Sequence, residues 1–338
     1  PANVTEAWVL VVGGGGGGGC LGGGGGGGYI EYGAGGVTSD YYDLSQDSDA
    51  SDGTVNISVG QGGIGAGFTS NPSSNPDNEI PSGQEIEGLS VEEQMRGGTT
   101  SIGDIQAVGG GGGGCLRNSM QEIGYEGGSG GGSGANENTE SGSVAGGNSV
   151  FSADSDPTTF GNSGGEVSVS SINQFLASGS GGGGAAAEGS GPSNSSGGNG
   201  GDGKSSSIRG ANQPFAGGGA GGSFPPYSNE KPSVSDASGG AGGGGNTNSS
   251  GSANTGGGGG GGGTTNNNPS SLFGSDGGSG IVIVRYAIPP TPVIIDDQCS
   301  DSGLPAGVTT SEDPFNCIVE FTSPGIEYDV TLPAAVTF

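Results

Sequence analysis

Glycine comes in this chain as uninterrupted runs, among them 13–19, 22–28, 109–114 and 256–263, and no other feature restricts the fold as much. A pure glycine run makes no stable α-helix, because glycine loses the most conformational entropy on ordering, and it offers no side chains with which to pack a sheet face. Two states remain. One is a flexible glycine-serine linker. The other is the extended left-handed polyproline-II conformation, with three residues per turn and a rise of about 3.1 Å. Its N–H and C=O groups point sideways, and glycine alone lets neighbouring backbones come close enough to satisfy them. On that expectation, hydrogen bonds between tracts replace a hydrophobic core.

Composition bears on the choice between the two. The 87 Gly and 18 Pro among 338 residues, roughly 31%, sit at the threshold of low complexity. Hydrophobic residues at 28% are too few for a large conventional core, and with a net charge of −28 the usual rule would assign disorder. The glycines, however, fall in runs bracketed by strand-like segments and by repeated Cys-Leu marks, so they read as the framework itself. Lys and Arg number 6 against 34 acids, and there is no His. That excludes an imidazole-based triad, a His-ligated metal site and a basic surface able to neutralise nucleic acid or an anionic membrane. No apolar run exceeds a handful of residues, as in Trp8 to Val12 or Ile281 to Val284, so no membrane-spanning helix is expected. The even number of cysteines in an acidic chain points outside the cell, where disulfides persist. The chain opens on Pro1 rather than Met, as expected after removal of a secretory signal or for a fragment of a longer polypeptide.

Along the chain, Thr5 to Val12 (TEAWVLVV) is β-branched and aromatic and reads as a strand that stops at the first glycine run. Thr54 to Val59 alternates and reads as a second, followed by the turn-like Gly60-Gln61-Gly62-Gly63. Helix signals are confined to Val91 to Arg96 (VEEQMR), a turn or two at most. An internal repeat sets Val11-Val12, seven Gly, Cys20-Leu21 beside Ala107-Val108, six Gly, Cys115-Leu116. Equivalent units would place Cys20 and Cys115 comparably and suggest a disulfide between them, although four cysteines allow three pairings.

The order TEAWVLVVGGGGGGG, GTVNISVGQGG (53–63), GGTTSIGDIQAVGGGGGG (97–114) and GGSGIVIVRY (277–286) resembles the glycine-rich domain common in predicted phage tail-fibre and phage structural proteins, over about residues 5–286. The resemblance implies stacked polyglycine helices capped by short strands, with variable loops at one end that contact a host receptor in the tip adhesins. This sequence departs from the pattern in its acidic loops at 38–53 and 68–96 and in continuing past Tyr286.

Beyond Tyr286 the character changes. Residues 287–292 form a stiff Pro-rich linker, and 293–338 read as a small β module of three or four segments, held by a Cys299–Cys317 disulfide. A complete immunoglobulin-like sandwich takes about seven strands. The module is therefore expected to be incomplete within one chain and to be completed by a strand from a neighbour, for example residues 1–12 of another copy.

Several motifs carry less than they suggest. Gly198 to Ser205 (GNGGDGKS) satisfies the phosphate-loop pattern, yet it follows no hydrophobic strand and opens no helix. Asp47, Asp49 and Asp52 approximate a Ca²⁺ loop with shifted spacing and no Glu at the twelfth position, so a solvated acidic loop is the competing reading. The 34 acids supply many carboxylate pairs, but a catalytic cleft wants rigid apolar walls and aromatics are only 6%. Tyr41, Tyr42, Phe224, Tyr227 and Phe315 stand in Ser/Asn/Gly-rich surroundings, the composition of adaptable contact loops, with packing against the bundle edge as the alternative. Asn3, Asn56, Asn194 and Asn248 lie in glycosylation sequons.

Taken together, the expected fold is all-β plus a polyglycine-II helix bundle, with a β-sandwich-like C-terminal module and almost no α-helix. The expected role is a non-enzymatic structural subunit of an extracellular or virion-associated fibre, partnered by copies of itself through strand exchange. The alternative is a phage tail-fibre adhesin that binds a host surface receptor. No cofactor is expected.

Overall fold

The computed structural model describes residues 6–33, 42–43, 54–68, 79–117, 120–121, 123–135, 142–151, 159–168, 177–193, 195–225, 235–264, 272–287, 308–313, 316–322 and 327–331. Among these the chain is nearly all β, built of small antiparallel sheets around glycine tracts, with one short helix at Val91–Met95. That helix is closed by a capping box, in which the Ser90 hydroxyl accepts from the Glu93 amide and the Glu93 carboxylate accepts from the Ser90 amide.

The opening strand Glu6–Val12 is apolar from Ala7 onward because both of its faces are covered there. Ala7, Val9 and Val11 point into one cluster with Val55, Ile57, Ile102, Ile105, Val282 and Val284. Trp8, Leu10 and Val12 point into a second with Tyr29, Ile208, Phe215, Ile281 and Ile283. Within its sheet the strand is flanked by Tyr29–Tyr32 on one side and the closing strand Ile281–Ala287 on the other, with Val12 opposite both Tyr29 and Ile281. A second sheet, facing the first across the Val9/Val11 cluster, joins Thr54–Ser58 to the hairpin Thr100–Ile102 and Ile105–Ala107. Thr54–Ser58 buries one face only, hence its alternation.

From this sheet end the glycine tracts run to a far end marked by Cys20 and Cys115. Residues 13–19 lie at their centre, and the hydrogen-bond partners repeat every three residues. Gly13, Gly16 and Gly19 donate to Gly28, Gly25 and Gly22; Gly14 and Gly17 to Gly98 and Met95; Gly15 and Gly18 to Gly278 and Ser275, all at 2.8–3.0 Å. In each case the partner number falls as the tract number rises, so these three neighbours run antiparallel. The carbonyls follow the same period with three parallel neighbours. Gly14 and Gly17 accept from Gly110 and Gly113, Gly15 and Gly18 from Gly63 and Ala66, and Gly16 and Gly19 from Gly259 and Gly262. One extended strand with six backbone neighbours leaves no room for side chains. A Cβ on Gly16 would stand 2.6 Å from the Gly111 carbonyl carbon and 2.8 Å from the Gly110 oxygen.

At the far end Cys20 and Cys115 form a disulfide across 95 residues. The two repeat units lie side by side, Gly110 bonding to Gly14 and Gly113 to Gly17, so this register carries both cysteines to the same level. Leu21, Phe68, Ala177, Phe224 and Leu272 pack around them.

The tail past Ala287 contributes three strands, and each of them extends a sheet of the glycine-rich part within the same chain. Asn316–Phe321 pairs with Ile281–Ala287, Val308–Asp313 pairs with Asn316–Phe321, and Glu327–Thr331 pairs with Thr54–Ser58. The open edges expected of a few isolated strands are thus met by edges of the two existing sheets.

Candidate functional site

A buried acid, Glu31, and its hydrogen-bond partners gather on the Trp8/Leu10 face of the first sheet. Glu31 lies opposite Leu10 in mid-sheet, 2% exposed. Its Oε1 accepts from Trp8 Nε1 at 3.0 Å and from the Ser206 hydroxyl, and its Oε2 accepts from the Tyr29 hydroxyl. Burial, and next the charge of Glu31 beside it, push the Tyr29 phenol far above its usual range, so it remains a donor. A carboxylate given three donors is one that a protein interior tolerates.

The donor Ser206 comes from a hairpin, Lys204–Ser206 paired with Gln213–Phe215, that crosses this face and buries Ile208 and Phe215 against it. Lys204 Nζ stands 4.1 Å over the Phe160 ring and the Arg209 guanidinium 5.4 Å over Phe215, while Arg285 stacks 5.4 Å from Trp8 and reaches the Ile208 carbonyl. At its turn Arg209 makes a two-pronged ion pair with Glu320 of the tail, Nη2 to Oε2 at 2.7 Å and Nε to Oε1, while Nη1 bonds Gln213. Glu31, Leu10, Ile283 and Glu320 lie in one cross-strand row. The hairpin therefore grips the sheet at both ends of that row, and three of the chain's 6 cations do the gripping. Mechanically this is a clasp.

The far end holds a different set of features. Short pairs anchor the chain there: Gly67–Phe68 with Leu272–Phe273, Ala177–Gly179 with Gly134–Ala135 on one side and Ser223–Phe224 on the other, and Ser143–Val144 with Val167–Ser168. In sequence these pairs flank 69–78, 136–141, 169–176, 226–234 and 265–271, which lie outside the described residues.

The residues singled out from sequence are scattered across this framework. Asp47, Asp49, Asp52, Tyr41, Tyr227, Phe315 and Cys299 lie outside the described residues. Tyr42 is in the two-residue strand Tyr42–Asp43, paired with Ala7, at the opposite end from Phe224. Phe224 is fully buried beside the disulfide, so it packs the bundle end rather than offering a contact surface. The backbone of Cys317 pairs with Tyr286. In the phosphate-loop match the amides are already committed, Gly198 to Gly179, Gly200 to Ser238, Gly201 to Gly182 and Gly203 to Ala241, and Lys204 opens a strand. They form no cradle. Among the described residues no group of three or more His, Cys, Asp or Glu could hold a metal ion. Sequence reading missed Glu31, Ser206, Arg209 and Glu320. A usable signal was present in the placing of Lys204 and Arg209 together in a chain so poor in cations.

A family model described as a glycine-rich domain matches residues 1–287. No curated protein and no solved structure matches.

Proposed function

The chain belongs to the glycine-rich domain family over residues 1–287, and from that premise we propose that it is a non-enzymatic structural subunit of an extracellular or virion-associated fibre whose protomers join by β-strand exchange. The tracts are polyglycine-II helices in this reading. The observation that carries it is the three-residue period of hydrogen bonds linking 13–19 to six neighbours. A run of seven such residues spans about 22 Å, and parallel lines of backbone bonds along it resist extension as a fibre must. The Cys20–Cys115 disulfide supports an oxidising location. No helix among the described residues is long and apolar enough to cross a membrane.

The second reading is a phage tail-fibre adhesin binding a host surface receptor. It is favoured by the composition of the sequences that follow or precede the short strand pairs of the disulfide end, rich in Ser and Asn and including Tyr227. Negative-stain microscopy of purified protein separates the two. Long uniform filaments with one chain per helical repeat support the fibre subunit; short, distal, trimeric or single appendages support the adhesin.

A further inference from the structure

We infer that the turn Ile86–Leu89 is a docking knob for a second, different protein, one whose contact surface is apolar and edged by Lys or Arg. The turn stands at the tip of the excursion 80–95 on the flank of the bundle. Both ends of that excursion are fixed. Ile80 and Met95 are buried in one cluster with Ala66, and the Met95 carbonyl accepts from Gly17 of the central tract at 2.8 Å. Between these ends, residues 82–90 are all exposed. Ile86 is 50% and Leu89 44% exposed, so two of the four large apolar side chains exposed among the described residues stand in this one turn. Single exposed apolar residues are ordinary. Two held together on a rigid tip form an anchor.

The rigidity comes from specific bonds. Leu89 donates its amide to the Ile86 carbonyl at 3.3 Å, with Gly88 at a φ of +88° between them. Gln94, buried on the helix, commits both ends of its side-chain amide to the same turn. Its Oε1 accepts from the Ile86 amide at 2.8 Å and its Nε2 donates to the Leu89 carbonyl at 3.0 Å. A buried amide that clamps an exposed turn sets Ile86 and Leu89 in place before a partner arrives, so docking costs little ordering entropy.

Charge identifies the occupant. Glu85 and Glu87 flank Ile86, both are exposed, and neither makes an ion pair among the described residues, whereas Glu92 pairs with Arg96. With a net charge of −28 the surrounding field draws a basic partner and repels an acidic one. A second copy of this chain does not fit. Its 6 cations lie at 96, 117, 204, 209, 231 and 285, and four are already engaged: Arg96 with Glu92, Lys204 over Phe160, Arg209 with Glu320, and Arg285 at Trp8.

The probe that tests this is a short helical peptide of Leu and Lys, its apolar face edged by lysines, titrated into the full chain at about 0.15 M salt, where charge attraction at a distance is screened. The expected result is saturable binding with amide shifts clustered at 84–94. Ile86→Ser/Leu89→Ser, which alters exposed side chains and should keep the wild-type Tm, weakens that binding about tenfold or more. Gln94→Ala, which leaves Ile86 and Leu89 present but frees the turn, weakens it too. A Ser/Lys peptide of equal charge should bind the wild type and the double variant alike. Equal affinity of the wild type and Ile86→Ser/Leu89→Ser for the Leu/Lys peptide, or shifts spread over the acidic surface, would reduce the binding to general charge attraction and overturn the inference. Self-association of the wild type that the same double variant abolishes would overturn it in favour of a second copy as the occupant.

Discussion

Replacing Gly16 by Ala should destabilise the protein far more than a Gly→Ala change at the surface. The new Cβ would lie 2.6 Å from the Gly111 carbonyl carbon and 2.8 Å from the Gly110 oxygen, where about 3.5 Å is comfortable, so the tracts must part by about 1 Å. Two bonds tie 109–114 to the central tract, Gly110 to Gly14 at 2.8 Å and Gly113 to Gly17 at 2.9 Å. A 1 Å separation carries both beyond the limit of a hydrogen bond. Each buried group left without a partner costs about 1–3 kcal/mol, and overpacking adds about 1–3 more. Alanine's smaller unfolded-state entropy returns only about 0.4–1 kcal/mol. With four such groups, two N–H and two C=O, the net loss is at least about 4 kcal/mol. Gly210 is the control, since its φ of +87° disfavours alanine but open space surrounds it, and Gly210→Ala should cost about 1–2 kcal/mol. Urea unfolding followed by the fluorescence of the single Trp, buried Trp8, measures both. Equal midpoints for the two variants, or stabilisation by Gly16→Ala as expected of a loose linker, would refute the reasoning.

Three further outcomes follow from the same structure. Removing the disulfide as Cys20→Ala/Cys115→Ala frees a loop of 95 residues and should cost about 4–5 kcal/mol, read as a fall in Tm that added reductant reproduces in the wild type. Glu31→Ala strands the donors of Trp8, Tyr29 and Ser206 and should cost about 3–5 kcal/mol, with Glu31→Gln milder because an acceptor oxygen remains. The folded-state pKa of Tyr29 is raised above its ordinary value of 10.0 by burial and then by Glu31. Its contribution is therefore complete below pH 10 and is lost as pH rises beyond that toward the folded value. Tyr29→Phe should unfold at a higher alkaline midpoint, relative to its own stability at pH 7, than the wild type does.

Much of the framework is visible in the residues themselves, and the exceptions have physical causes. The opening strand is legible because a segment covered on both faces must be apolar throughout, as Ala7 to Val12 is. The Cys20–Cys115 pairing was suggested by the repeat because two glycine runs of similar length, laid parallel, carry their flanking cysteines to one level. The seats of the tail could not be read in advance. Ile281–Ala287 and Thr54–Ser58 offer generic main-chain edges, which no local pattern in 308–331 announces. Glu31 reads in YIEY as an ordinary solvated strand acid, and it is buried only because donors arrive from 23 and 175 residues away. Phe224 stands beside Pro225-Pro226-Tyr227 and so reads as a loop aromatic, but pairing of Ala177 with Phe224 turns it toward the disulfide. In each case the deciding contact is long-range, while the sequence pattern is local.

The central claim is that the glycine tracts are the folded core, held by backbone hydrogen bonds. Residue-resolved amide hydrogen exchange tests it most directly. The amides of Gly14 to Gly19, Gly110, Gly111, Gly113 and Gly258 to Gly262, which bond to neighbouring segments, should exchange as slowly as those of the strand Ile281–Ala287, at the rate set by global unfolding. Exchange of those glycines at the rate of an unstructured chain, with protection confined to the strands, would contradict it.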